Sequence, residues 1–525
     1  MTILTGRPLH WAITAAAGSG FLLFGYDQGV MSGLLTGSAF TAQFPEIDTN
    51  EGSHGSASLQ GTVVAIYEIG CFFGSILALV FGEKLGRRMT ILIGCLILCV
   101  GGALQASAYS IPHLIVGRIV AGLGNGMNTS TIPVWHSELM QADKRGKGLS
   151  IELAINIFGV MTAYWFRFPL ALQCLFAVLT IALMLVLPES PRWLIAQDRH
   201  DDARNILLAL LPNKKPDEDF VNREMAEIQH AIDEEREAAH GSSYKALLKN
   251  GPQKFFYRTM LGIGGQFMQQ LSYVNDLHLS ISLCPPQGSQ ATWHEAMSAP
   301  DTLPRSGINL ITYYAPVIFQ QSVGLTHNMS MLLAGFNGVA YFLSSLIPIW
   351  VIDRLGRRKL MLFAAAGQGC CMAILAGTVS DGSASAGIVA SVMLFAFNFF
   401  FAIGLLAIPW LLPAEYAPLA IRQRAAALAS ASNWIFTFLV VEITPVSIGN
   451  IGYRTYIYFC VFNFCFLPLI YFFYPETQNL TLEQIDKLFT GDKIMLHWTP
   501  SMGEIGEMGE IKEGVVEQRL EKQVA

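Results

Sequence analysis

Long apolar runs recur along almost the whole chain. An α-helix needs about 20 consecutive apolar residues to cross the hydrocarbon core of a bilayer. The composition agrees, since 52% of the residues are hydrophobic and only 14% are charged, which is unusual for a water-soluble domain. The sequence therefore predicts an all-α polytopic membrane protein. Roughly twelve runs approach the spanning length, and they occupy residues 11–34, 59–82, 89–109, 111–134, 148–165, 168–187, 258–272 with 307–323, 329–352, 359–379, 386–413, 425–446 and 452–474.

Basic residues mark one side of the predicted membrane. Lysine and arginine concentrate in "EKLGRRM", "DKRGKG", "DRLGRRK", "IRQRA" and the long segment 192–258, whereas the alternate loops 35–58, 105–113 and 380–386 contain almost none. Cytoplasmic loops of membrane proteins carry an excess of Lys and Arg. Both termini are therefore predicted to lie in the cytosol.

The chain carries no signature of an enzyme or of a nucleotide-driven pump. It has no phosphate-binding P-loop, and no nucleophile, base and orienting group occur together. Its nine cysteines include no CxxC pair, so the sequence predicts neither disulfides nor a metal site. We expect a protein that is not an enzyme, has no cofactor and binds no nucleic acid.

An internal repeat divides the chain. "GEKLGRRMTIL" follows the second apolar run and "IDRLGRRKLML" follows the eighth, while "SELMQADKRGKG" and "AEYAPLAIRQRA" follow the fourth and tenth. Two parallel six-helix halves that rock about a central site are the architecture of a secondary transporter. The predicted divisions are an amino-terminal half at 1–187, cytoplasmic linker helices at 188–257, a carboxy-terminal half at 258–474 and a cytoplasmic tail at 475–525.

Several motifs in the correct order give the chain a family resemblance. "GFLLFGYDQGVMSG", "GRIVAGLGNGMNTSTIPVW", "LPESPRWL", "GQFMQQ" with "GINLITYYAP", "GFNGVAYF", "IPWLLPAEY" and "PETQNLTLEQID" together resemble the sugar porter family of the major facilitator superfamily, and fungal monosaccharide carriers most of all. The resemblance implies a major facilitator fold of twelve transmembrane helices. It also implies import of a monosaccharide, expected to be a hexose, by proton symport with alternating access. The expected setting is a plasma membrane, and the functional unit is expected to be a monomer.

Amide side chains gather where a sugar would need them. A hexose is neutral and covered with hydroxyls, so its site should offer groups that both donate and accept hydrogen bonds. Amides can also simply join helices, and that alternative remains open for each residue alone. By resemblance, the sugar-binding residues are Gln266, Gln269, Gln270, Asn309, Asn337, Trp410, Asn433 and Thr437. The family's glutamine of the fifth span falls on Leu153 here, and Asn156 is the predicted substitute.

An acidic residue lies deep in the first run. Asp27 would cost about 2.5 to 3.5 kcal/mol in the membrane as an unpaired carboxylate, and Arg118 is the basic residue at comparable depth in the same half. In the proton symporters that the chain resembles, the equivalent pair couples proton and sugar movement. A permanently ionised structural pair is the alternative.

Charged residues at the cytosolic edge fit the network with which the family latches its outward-facing state. The predicted network consists of Arg87, Arg88, Glu138, Arg145, Glu189, Arg192, Asp353, Arg357, Arg358, Glu415 and Arg424. Anchoring by positive charge alone explains the arginines but not the acids that recur beside them.

Two stretches depart from the family pattern. Residues 273–306 interrupt the seventh run with prolines and charges, and removing them restores the family's sequence in frame. We interpret them as a translated intron or a gene-model error. The fifth and sixth runs also join near 165–169 without the usual outer loop.

Two other functions are compatible with the same scaffold. One is a non-transporting sugar receptor, which would carry a long cytosolic signalling tail. The other is a disaccharide or quinate-type carrier, and acid binding would require an additional intramembrane cation in the carboxy-terminal half.

Overall fold

The computed structural model describes most of the chain. The described residues are 4–34, 38–47, 56–140, 145–165, 172–211, 218–238, 253–272, 327–381, 384–451, 454–478 and the single positions 480, 485, 488 and 489. The predicted insert 273–306, the junction 166–171 and Asn309 lie outside them. Within the described residues every regular element is helical, as the apolar runs predict.

The amino-terminal half contains the first six predicted spans. The short α2 and a 3-10 turn at Pro45–Ile47 follow the first long helix on the outer edge of the bundle. The helices are α1 (Arg7–Leu34), α2 (Ser38–Gln43), α3 (Ala57–Leu85), α4 (Arg87–Ala106), α5 (Ile111–Leu139), α6 (Arg145–Trp165) and α7 (Leu172–Val186).

Three helices join the halves: α8 (Pro191–Ala196), α9 (His200–Leu210) and α10 (Glu218–Ala238). The face of the bundle at which they lie is here called the linker face. The carboxy-terminal half contains α11 (Phe255–Leu271), α12 (His327–Ser345), α13 (Pro348–Leu355), α14 (Arg357–Asp381), α15 (Ala384–Gly404), α16 (Ile408–Tyr416), α17 (Leu419–Ile451) and α18 (Arg454–Phe473).

Within the described residues, the predicted apolar runs coincide with helices or with broken pairs of helices; the run 307–323 lies outside those residues. Among the described residues, six helices are long and apolar enough to cross a membrane, or seven when α12 and α13, bent by 40°, are taken as one span. The other helices contain more polar residues or are described only in part. A proline at the first turn of α13 and of α16 explains the break before each, because proline cannot continue the preceding helix.

The two halves pack around a central space. In the amino-terminal half α1 lies against α6, and α5 lies against both α3 and α4. Between the halves, α3 packs along α17 and α6 packs against α12 and α13. Ser75 and Ser430 bond across the α3–α17 contact at 3.2 Å.

The repeated "LGRR" turns have the same local structure in both halves. Gly86 and Gly356 have φ angles of +83° and +89°, a region that residues with a side chain rarely adopt. In the amino-terminal turn, Glu189 accepts hydrogen bonds from the backbone N–H groups of Arg87 at 3.2 Å and Arg88 at 3.0 Å. The carboxylate therefore satisfies donors that a helix start leaves unpaired.

A matching acid serves the second turn. Glu476 accepts from the backbone N–H groups of Arg357 at 2.9 Å and Arg358 at 3.0 Å. Glu189 and Glu476 lie in Pro-Glu-Ser and Pro-Glu-Thr sequences that follow the last span of each half. The repeat is thus a structural device that caps α4 and α14 from a distant part of the chain.

Replacing Gly86 by alanine should destabilise the protein by about 1 to 3 kcal/mol, because the new side chain would be held at positive φ. It would also lie 2.7 Å from Oε2 of Glu189. Thermal unfolding in detergent measures the loss. Gly377→Ala is the matched control, since a side chain there meets nothing within 4 Å; equal melting temperatures for the two variants would contradict the prediction.

Candidate functional site

A cavity lies between the halves at the centre of the bundle. The space left free inside it is small in this conformation, about 60 Å³, which is room for several water molecules. Both halves line it, with residues from α1, α6, α11, α12, α15, α16 and α17. The lining residues are Phe24, Gln28, Leu153, Asn156, Ile157, Val160, Gln269, Gln270, Tyr341, Phe401, Leu406, Trp410 and Asn433.

Two predicted amides meet in this cavity. Gln270 on α11 donates from Nε2 to Oδ1 of Asn433 on α17 at 2.6 Å. Both residues line the cavity, and amides can donate and accept. The pair therefore presents mixed hydrogen-bonding groups to a bound solute.

Gln269 and Gln266 stabilise the break between α15 and α16. Nε2 of Gln269 donates to the carbonyl oxygens of Leu405 at 2.8 Å and Leu406 at 3.0 Å, and Nε2 of Gln266 donates to Pro409 at 3.1 Å. The end of a helix leaves carbonyl groups without intrahelical partners. Gln269 still lines the cavity, whereas Gln266 is absent from its lining.

An aromatic wall forms the side of the cavity nearest α16. Trp410 lies edge-on to Phe21 and Phe24, with ring centroids 6.2 and 6.3 Å apart. Trp434 is fully buried behind Phe24. Asn156 completes the amino-terminal side and donates to the carbonyl of Phe21 at 3.2 Å.

Two predicted sugar-binding residues lie outside the cavity lining. Asn337 accepts a hydrogen bond from Asn398 at 3.1 Å, which joins α12 to α15. The hydroxyl of Thr437 donates to the carbonyl of Asn433 one turn earlier. In this conformation Asn337 joins two helices, and Thr437 bonds within one helix. Polar side chains that serve helix packing were the alternative left open for each residue in the sequence.

The cavity also contains polar residues that the sequence analysis missed. Gln28 follows Asp27 directly on α1 and lines the cavity, as does Tyr341 on α12. For Gln28 the signal was its place in "FGYDQG", beside the predicted proton-coupling acid. For Tyr341 the signal was its place in "GFNGVAYF", the motif that also contains the predicted Asn337.

Asp27 and Arg118 are both buried, with 1% exposure each. They are not joined by an ion pair within 4 Å, and the groups that act on the Asp27 carboxylate are the hydroxyl of Tyr67 and the charge of Arg118. Arg118 instead donates to the carbonyl of Val64 at 2.8 Å, and its guanidinium lies over the ring of Tyr67, 5.2 Å from the centroid. The predicted pair thus shares a site without direct contact.

A second acid lies near this site. Glu68 on α3 is fully buried, next to Tyr67 in sequence. The sequence analysis missed it, although an acid in the middle of an apolar run was the available signal.

The predicted charge network forms at the linker face. In the amino-terminal half, Arg87 makes a two-point contact with Glu138, with both N–O distances 3.0 Å. The side chain of Arg88 donates to the carbonyls of Met184 and Leu185. Burial raises the pKa of the Glu189 carboxyl above its usual value, against the opposing effect of the N–H groups of Ser190 and Arg88.

The carboxy-terminal half repeats the arrangement. Arg357 contacts Glu415 at 3.2 Å and Asp353 at 3.1 Å, and Thr477 donates to Glu415 at 2.7 Å. The side chain of Arg358 donates to the carbonyl of Tyr471. Sequence reasoning missed the second-half acid Glu476, although the Pro-Glu-Ser and Pro-Glu-Thr repeat pointed to it.

Contacts at both ends of α3 connect the halves. Arg424 on α17 pairs with Glu83 at the linker face, and Thr62 donates to Glu442 at 2.9 Å at the opposite end. Arg145 donates to the carbonyl of Ser137. Arg192 is half-buried, and within the described ranges no carboxylate lies within 4 Å of it.

Comparison with known proteins shows which family has this arrangement. The profile of the family "Sugar (and other) transporter" matches residues 11–279 and 303–489. The chain belongs to this family of the major facilitator superfamily. The match is interrupted between these two ranges, inside the predicted insert 273–306. The family is one of solute transporters.

Curated fungal relatives cover most of this sugar transporter. It is 36% identical to the MFS-type transporter oryC of Aspergillus oryzae, over 94% of this chain and 88% of the relative. It is 35% identical to the sugar transporter STL1 of Saccharomyces cerevisiae, over 93% of this chain and 82% of the relative.

A solved structure confirms the fold. The proton:xylose symporter XylE matches with a TM-score of 0.75 at 24% identity, over 92% of this chain and all of that chain. The prediction of an all-α major facilitator fold with two six-helix halves is therefore confirmed. A multi-pass membrane protein follows from the family and the apolar helices.

Proposed function

We propose that this transporter imports a monosaccharide, expected to be a hexose, together with a proton. The observation that carries the proposal is the continuity of two sites on α1. Gln28 lines the amide-rich cavity, and the preceding residue is the buried Asp27. A change in the charge of Asp27 can therefore act on the backbone that forms the substrate site.

The chemistry of the cavity favours a neutral, hydroxylated solute. Asn156, Gln269, Gln270 and Asn433 provide amides, and Trp410 provides an aromatic surface for the C–H face of a sugar ring. No residue that lines the cavity in the described part of the chain carries a charge. A quinate-type acid would lack a cation to pair with, so a neutral sugar is the better fit.

Alternating access requires contacts that can break at each end. The Arg424–Glu83 pair joins α17 to α3 at the linker face, and Thr62–Glu442 joins the same helices at the opposite end. Rocking of the halves about the cavity would open one contact while the other holds.

Proton coupling supplies the driving force for accumulation. Asp27 is a titratable group buried beside the cavity, so binding or release of a proton there changes a charge inside the bundle. One proton moving through 100 mV provides about 2.3 kcal/mol, enough for about a 50-fold sugar gradient.

The distribution of charge orients the protein. The basic turns around Arg87, Arg145, Arg357 and Arg424 lie at the linker face, and the positive-inside rule favours a cytosolic position for that face and for both termini. A plasma membrane, with an inward proton gradient, is the setting in which this orientation gives import.

Uptake of labelled hexoses and pentoses in a transport-deficient cell tests the proposal. We expect saturable uptake that a protonophore reduces by about tenfold or more, since the proton gradient drives accumulation. The same chain without residues 273–306 should transport at least as well, because the deletion restores the family's sequence. If the chain with residues 273–306 and the chain without them both bind sugar but take none up, the receptor alternative is favoured. Uptake of quinate but of no sugar would favour an acid carrier.

A further inference from the structure

Two titratable side chains that the proposed function does not use lie in contact inside the amino-terminal half. Nδ1 of His136 on α5 contacts Oε1 of Glu152 on α6, and the side chains are 3% and 0% exposed. The hydroxyl of Thr14 on α1 lies 3.4 Å from Nε2 of His136. Three helices therefore share one buried polar cluster.

The cluster lies between the sugar cavity and the linker face. Glu152 is one turn before Asn156, which lines the sugar cavity. A second, smaller cavity is lined by His136 and by Arg145 of the linker-face network, and Trp410 lines both cavities. The His136–Glu152 pair thus lies on the linker-face side of the aromatic wall that contains Trp410.

The small cavity suits a proton and not a sugar. Its boundary encloses about 250 Å³, but little of that space is free, and the free part accommodates about one water molecule. Water can carry a proton, whereas a sugar ring does not fit. Only the smaller of the two transported species can therefore reach His136 in this conformation.

The charge of the pair explains why it could hold a proton. With one proton the pair has no net charge, whether the proton is on the imidazole or on the carboxyl group. Adding or removing a proton leaves a net charge in a buried site, which is costly unless water reaches it. The two groups therefore share one proton, and exchange of that proton requires access to water.

The helices packed around the pair bring few other charges to it. Arg145 of α6 lines the small cavity, and Arg87 of α4 is bonded to Glu138, two residues after His136. From α1 the titratable neighbour is His10, one turn before Thr14, which contacts the carbonyl of Leu210. The residues of α16 at the small cavity are uncharged.

We propose that His136 and Glu152 form a second, inner proton-binding site through which the symported proton leaves toward the linker face. Asp27 lies 13 residues after Thr14 on α1, about 20 Å along the helix axis, so the proton crosses by water and not by direct transfer. The pair takes up a proton from that water and returns one to it, which leaves the pair unchanged after each cycle. This inference rests on the proposed proton symport.

Purified full-length protein in liposomes of uniform orientation tests the inference, with the linker face toward the lumen. Initial sugar uptake is measured at constant outer pH while the lumen pH is varied. We expect wild-type uptake to slow by about fivefold per unit of lumen acidification, near the tenfold limit of one titrating site. Glu152→Gln and His136→Gln should lose this dependence and keep the response to outer pH. Glu218→Gln, at an exposed acid, is the matched control and should behave as wild type.

A spectroscopic measurement separates titration from helix joining. Infrared difference spectra over a pH titration should contain a carboxyl band that disappears in Glu152→Gln and persists in Asp27→Asn. If Glu152→Gln does not purify as a monodisperse protein, Glu152→Asp is the substitute because it keeps the acid. It should shift both the infrared band and the dependence of sugar uptake on lumen pH.

The results distinguish this inference from the proposed function. The inner proton-binding site would be overturned if Glu152→Gln kept the wild-type dependence of uptake on lumen pH and an unchanged infrared spectrum. This holds even if Asp27 couples proton and sugar transport. Wild-type protein that accumulates no sugar in any proton gradient would overturn the symport, and the infrared band would then still show whether the pair titrates.

Discussion

Replacement of Asp27 by asparagine should abolish proton-driven sugar accumulation while leaving sugar exchange intact. Asparagine has nearly the shape of a protonated aspartic acid but cannot release a proton. A gradient of about 50-fold at 100 mV should therefore fall to about one, whereas exchange of labelled for unlabelled sugar should stay within about twofold. Reconstituted vesicles with an imposed membrane potential and pH gradient measure both quantities.

The environment of Asp27 explains why the substitution should be tolerated. Asparagine keeps a side-chain oxygen that can accept from the neighbouring hydroxyl of Tyr67, and Arg118 keeps its hydrogen bond to the carbonyl of Val64. The substitution therefore removes the charge and preserves the nearby polar contacts. Loss of exchange together with accumulation, in a variant that melts like wild type, would show that Asp27 serves substrate binding or helix movement directly.

Replacement of Gln270 by leucine should weaken sugar binding by about 10- to 100-fold, the effect of losing hydrogen bonds worth about 1 to 3 kcal/mol in a buried site. The substitution removes an amide from the cavity and leaves Asn433 without the 2.6 Å bond that orients it. We expect the KM for uptake to rise by this factor while the maximal rate changes less. Uptake over a range of sugar concentrations measures both.

Asn337→Ala is the informative comparison for the Gln270 variant. Asn337 was predicted to bind sugar, yet it bonds to Asn398 and is absent from the lining of the cavity. Its loss should lower the melting temperature and leave the KM nearly unchanged. A KM that rises equally in both variants would mean that Asn337 reaches the sugar in another conformation.

The sequence predicted the described helices well because a long apolar run identifies a membrane helix without knowledge of its distant contacts. It also predicted that glutamines of α11 would lie near Asn433 and Trp410, since the family resemblance places these residues at one depth. It could not separate Gln270, which faces the cavity, from Gln266, which bonds to the carbonyl of Pro409. That difference depends on how α11 packs against the break between α15 and α16; Pro409 marks the break in the sequence, but not which glutamine faces it.

Pairs formed between distant parts of the chain were harder to predict. Glu83, the partner of Arg424, lies 341 positions away from it, and its charge alone did not indicate a contact between the halves. The contact of His136 with Glu152 likewise requires that α5 and α6 place these side chains on facing sides. Such contacts are set by the packing of helices, which one sequence without relatives does not reveal.

The cap formed by Glu476 means that the carboxy-terminal half extends past its last apolar run. Thr477 and Phe489 are buried, and the guanidinium of Arg258 lies 4.5 Å from the ring centre of Phe489. A reporter domain fused directly after Phe473 would remove the acid that holds the start of α14. Reporter fusions intended to map membrane topology should therefore begin beyond Phe489.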